Sequence, residues 1–146
     1  MQSAEEKGTD ANGNLIMAKL SDGEDVFSSL QDVAAVRKIE SGAVLFGIGM
    51  LKDFEIGFFG PEGYVKHAYA DRHELLAFHG SIAIHAEPKF HIHVAVAAPD
   101  HSVLGGHLFR AKAAVVNEIC LARFSTIKLD RKLNPTTTLQ ELQISY

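Results

Sequence analysis

The strongest constraint on this chain is a change of period. One segment near the N-terminus repeats its apolar residues at helical spacing, and nearly everything after it is a series of apolar, β-branched and aromatic runs broken by glycine. Ser21 with Glu24 three residues on has the form of a capping box, and Asp22, Glu24 and Asp25 suit the positive end of a helix. Val26, Leu30, Val33, Ala34 and Arg37 follow at helical spacing, with Gly42 where a stop is expected. Leu15 to Leu20 reads as a strand before this helix.

From Ala43 the pattern belongs to strands. AVLFGIGMLKDFEIGFF reads as two strands meeting near Lys52–Asp53, PEG (61–63) as a turn, and YVKHAYA as a strand. ELLAFHGSIAI follows with Gly80 as an expected bulge, then KFHIHVAVA, the turn APDHS (98–102), and VLGGHLF. Ala113 to Phe124 and Thr126 to Leu133 complete the series, and PTTTLQELQ is left between a helical turn and an irregular edge. One early helix followed by many strands predicts an α+β domain with a mostly antiparallel sheet. Residues 1–13, MQSAEEKGTDANG, are polar and aperiodic and read as a disordered tail or leader, so the domain is expected over 14–146.

Composition narrows the function classes. The 146 residues carry 18 acidic against 14 basic side chains, a formal charge of −4, which argues against direct binding to DNA. Lys128, Arg131 and Lys132 form the one tight basic group, with Asp130 inside it. A single cysteine, Cys120, excludes an intrachain disulfide and a multi-thiolate metal site. No apolar run is long enough to span a bilayer and no secretory leader is visible, so a cytoplasmic protein without membrane partners is expected.

Eight histidines is a high count for this length. In His91-Ile92-His93 the two imidazoles fall on the same face of a strand, spaced so that both can reach one ion. His107, behind Gly105-Gly106 on the strand expected to pair with the first, is the natural third ligand. The diglycine would admit close backbone approach and re-aim the histidine, as a bulge does. Taken alone, His67, His73 or His101 reads as an ordinary hydrogen-bonded side chain. The three together favour a divalent metal, with zinc the default for imidazole ligands. Three protein ligands leave a coordination position open, the pattern of catalytic zinc. Glu118 is the best carboxylate candidate for a catalytic base, balanced against an edge or subunit-contact role.

LFGIGML (45–51), ELLAFHGSIAI (74–84), KFHIHVAV (89–96), VLGGHLF (103–109) and AAVVNEICL (113–121) resemble the plants and prokaryotes conserved (PPC) domain in its stand-alone prokaryotic form. The resemblance covers roughly residues 14–144. It implies an antiparallel sheet flanked by a few helices, assembly as a homotrimer, and metal binding at His91, His93 and His107. Plant members follow AT-hook segments and carry a DNA-binding label, but no Arg-Gly-Arg-Pro core occurs here. His79 and His85 stand where the family pattern suggests Ser or Asn, and either could add a ligand. The expected function is therefore a metal-binding, trimeric protein of unassigned activity. A metal-dependent hydrolase or lyase acting on a small-molecule ligand, and a DNA-associated or regulatory assembly module, are the alternatives.

Overall fold

The structure is a computed structural model, which describes residues 1–5 and 13–146. In chain order it runs β1 (Gln2–Glu5), β2 (Gly13–Ser21), α1 (Val26–Arg37), β3 (Ser41–Gly60), β4 (Gly63–Tyr69), β5 (His73–Ala83), β6 (Phe90–Ala97), β7 (Val103–Phe124), β8 (Lys128–Leu133) and β9 (Gln140–Ser145). The expected antiparallel sheet is present: seven strands pair in the order β1-β2-β7-β6-β5-β3-β4, and every pairing is antiparallel. A further β7–β3 pairing joins strands already linked through β5 and β6, so β3, β5, β6 and β7 close on themselves. β8 and β9 form a separate two-stranded ribbon.

The flanking helices reduce to one among the described residues. Helix α1 buries Val26, Leu30, Val33 and Ala34, the stripe read from the sequence. Its ends differ from the expectation. The Glu24 carboxylate does accept from the Ser21 N–H at 2.6 Å, but the N-cap is Asp25, whose carboxylate accepts from the Ser28 N–H at 2.8 Å. The stop is Lys38 in the left-handed region (φ 54°), four residues before Gly42. Ile16, Leu20, Val44, Phe54, Phe78, Ile92, Val96 and Leu121 pack with the helix stripe in one core.

Several predicted boundaries merge. The two strands expected over Ala43 to Phe59 are one long strand, β3, and the break near Lys52–Asp53 is a kink: Asp53 has φ 46° and the register with β7 shifts between Lys52 and Glu55. VLGGHLF and Ala113–Phe124 are likewise one strand, β7, with Val115 at φ 59° as its irregularity. Gly80 is not a bulge. It pairs in register with Val44 and Ile92, and the β5–β6 shift lies between Leu75 and Ala77. The segment after Pro135 turns and returns as β9. At the N-terminus, Gln2–Glu5 pair with β2 and so depart from the expected leader, while residues 6–12 lie outside the described residues.

No helix among the described residues is long and apolar enough to cross a membrane.

Candidate metal centre

Strands β6 and β7 position the three histidines. On β6 the residues alternate, with Phe90, Ile92, Val94 and Val96 in the core and His91 and His93 on the opposite face. His93 sits directly opposite His107 of β7, and that register runs unbroken to the Ala97–Val103 pair. The diglycine therefore works by close approach, without a bulge on this side. A Cβ on Gly105 would stand 2.9 Å from the Val94 carbonyl oxygen, and one on Gly106 2.7 Å from that of Gly57 on β3. His107 is thus clasped between β6 and β3.

One potential ligand atom from each of His91, His93 and His107 lies within 4.8 Å of the others. The Nε2 atoms of His91 and His93 are 3.2 Å apart. Two nitrogens bound tetrahedrally to one zinc ion at about 2.05 Å would be about 3.3 Å apart. Ring centroids lie 5.1, 5.0 and 5.4 Å apart around the triangle. His107 Nδ1 is buried and has no hydrogen-bond partner among the described residues, an arrangement that is costly unless something fills it. The donor set, three imidazoles without a carboxylate, fits a borderline transition ion.

Burial holds all three imidazoles below the ordinary histidine range, because it penalises the charged form. His107 falls furthest, to about 4, through burial first and then the neighbouring His91, His93, Lys66 and Arg131. The rings are neutral near pH 7, the state a metal ligand requires. In metal-free protein the unfolded chain binds protons that the folded state refuses. Folding stability is therefore complete above about pH 6.5 and falls as the pH drops toward 4. Urea midpoints of chelated protein at pH 7.5 and 5 should show that decline, and it should shrink in His107→Gln.

The other candidates separate cleanly. Glu118 is not brought to the cluster: it is exposed on the far half of β7, opposite Lys19 and Ile48. His79 stands opposite His93 across β5–β6, outside the converging trio, and its charge contributes to the lowering at His93. His85 is exposed in the turn after β5. His73 is buried against Phe54 and Tyr69, with Nδ1 3.1 Å from the Asp71 carbonyl. The basic group splits, since Lys128 and Lys132 are exposed whereas Arg131 is 9% exposed and turned inward.

Sequence reasoning missed the surroundings of the site. His91 and His107 open onto a cavity of about 940 Å³ that Tyr64, Phe109 and Arg131 also line. The Tyr64 and Phe109 rings lie 5.2 and 4.6 Å from that of His107, and Lys66 Nζ sits 3.7 Å over Phe109. Arg131 had a readable signal: Leu129 and Arg131 share one face of β8, and Leu129 is plainly a core residue.

Comparison with known proteins places this architecture. Among solved structures, a metal-containing protein from Archaeoglobus fulgidus is 25% identical with a TM-score of 0.78, covering 98% of this chain and 99% of that one. A plant- and prokaryote-conserved protein from Pyrococcus horikoshii is 23% identical with a TM-score of 0.77, over 96% and 94%. A Bacteroides thetaiotaomicron protein, named as a candidate DNA-binding protein, is 21% identical with a TM-score of 0.78, over 97% and 96%. A bifunctional GlmU protein from Synechococcus is 29% identical over 86% of this chain, which spans only 19% of that protein. The model of the Plants and Prokaryotes Conserved (PCC) domain matches residues 7–125. With the matching blocks lying on β3, β5, β6 and β7 around the histidines, the chain belongs to the PPC domain family.

Proposed function

We propose that His91, His93 and His107 hold one divalent transition-metal ion, zinc by default, at the mouth of a small-molecule cavity. The convergence of three neutral imidazoles, one with a buried and unpartnered nitrogen, carries the reading. The metal-containing Archaeoglobus protein of like fold supports it. When bound, such an ion supplies Lewis acidity at the cavity wall. Elemental analysis of purified protein before and after chelation tests the assignment.

The adjoining cavity favours a second reading, a metal-dependent hydrolase or lyase acting on a small molecule. Glu118 is too remote to serve it as base, and among the described residues no carboxylate joins the trio. A screen of small esters and phosphate esters, with and without chelator, separates a catalytic site from a binding site.

We also propose that the protein works as a homotrimer. Met17, Cys120 and Phe46 lie in one row across β2, β7 and β3, away from the core residues Ile16, Ile119 and Leu121. Phe46 is 47% and Ile48 50% exposed, with Leu15 and Met17 beside them. A contiguous exposed apolar face of this kind marks a protein interface. Light scattering at micromolar concentration should give three times the chain mass, and Phe46→Glu/Ile48→Glu should give the monomer. A monomeric parent would refute the assembly.

A further inference from the structure

The cavity beside the histidines contains a feature that a metal ion leaves unexplained. Its walls are largely carbon: Phe27 and Phe90 meet edge to face at 6.3 Å, joined by Leu108, Leu139 and Leu142. Arg131, 9% exposed, is set into this lining. Its Nε donates to the Pro88 carbonyl at 2.8 Å and its Nη2 to Ser81 Oγ at 2.9 Å. A guanidinium has five N–H donors, so three have no partner among the described residues, and none of the ion pairs there involves Arg131. A cation so buried and uncompensated is costly, and an anion relieves it.

Ser81, which Arg131 grips, lies opposite His91 across β5–β6, and the guanidinium charge is felt at both His91 and His107. Two carboxylates line the same cavity without answering it. Glu141 accepts from Asn134 and Thr137, and Glu87 is exposed. Lys89 lines the cavity too, so two cations are matched by two carboxylates, a balance that disfavours a dianion such as a phosphate ester. The aromatic and aliphatic walls call for a ligand with a carbon body.

We propose that this cavity binds a small organic monocarboxylate with an apolar or aromatic body, its carboxylate on the free N–H groups of Arg131 beside His91. The body lies against Phe27, Phe90 and the leucines. The Arg131 contact stands by itself; a second contact from the carboxylate to a metal ion rests on the metal assignment above.

The test is calorimetric titration of 3-phenylpropanoate into chelated protein and into zinc-treated protein. In parallel, the Arg131 Nε–H resonance of the parent is followed by NMR. Saturable binding of one acid per chain is expected, with the Arg131 signal moving. Loss of the charge-assisted hydrogen bonds should make 3-phenylpropanamide, or the acid with Arg131→Gln, bind about tenfold more weakly. If Arg131→Gln does not fold, the parent's resonance and the acid-against-amide comparison decide. No saturable binding at millimolar acid, equal binding of acid and amide, or an unmoved Arg131 signal overturns the proposal. So does displacement of the acid by equimolar inorganic phosphate. Tighter binding after zinc treatment supports both contacts, whereas equal binding that still depends on Arg131 supports the anion site and counts against the metal contact alone.

Discussion

Replacing His91 and His93 together by alanine should strip the protein of its transition metal. The parent is expected to carry about one ion per chain after purification, since three neutral imidazoles make a competent zinc site. The double variant keeps only His107, and one imidazole does not retain zinc through dialysis. Even disturbing a ligand's supporting partner costs about 10–100-fold in affinity, so removing two ligands should lower it by well over about 100-fold. The fold should survive, because both side chains sit opposite the core residues Phe90, Ile92 and Val94. Elemental analysis, with circular dichroism as the check on folding, reads the result. Full metal content in a folded double variant would end the assignment.

A second large effect is expected at Gly80. This residue lies between β3 and β6, opposite Val44 and Ile92, and a Cβ there would stand 2.0 Å from the His91 carbonyl oxygen. The obstacle is backbone and cannot swing aside as a side-chain tip would. Overpacking of this sort costs about 3 kcal/mol, which for a chain of this size lowers the melting temperature by about 10 °C. Gly60→Ala is the control: the nearest atom to its added Cβ is 3.7 Å away, so about 0.5 kcal/mol or less is expected. The comparison should be made on chelated protein at one concentration, because ligand and assembly both shift apparent stability. Melting of Gly80→Ala within a degree of the parent would show that β5 and β6 separate freely at this point.

Gly80 also shows what was readable from the sequence and what was not. A glycine inside an alternating strand announces either a bulge or a close backbone approach, and the two leave the same mark. Only the pairing partners on both sides distinguish them. His91 and His93 were placed by strand periodicity alone, and the short turn that returns β7 against β6 brought in His107. The continuity of β3 and β7 was hidden because the polar Lys52-Asp53 and Arg110-Ala111-Lys112 interrupt the apolar pattern, although both strands run through them. Glu118 was drawn toward the site by its chemistry, yet the length of β7 carries it away. Arg131 was grouped with two neighbouring lysines as surface charge, although alternation with Leu129 assigns it to the interior. Composition identifies reactive residue types, but only register says which of them meet.

The closure of β3 against β7 has a consequence for the order in which the protein can be made. His107 is held on one side by β6 and on the other by Gly57 of β3, a residue far earlier in the chain. Pairing across such separations is slow, because the loop between must be ordered before any contact repays it. A chain still emerging from the ribosome exposes His91 and His93 well before β7 is available to complete the trio. On the proposed assignment, full affinity for metal arises only once β7 has paired with both β6 and β3. On that assignment loading would follow the closing of the ring of strands, and ion content would report it.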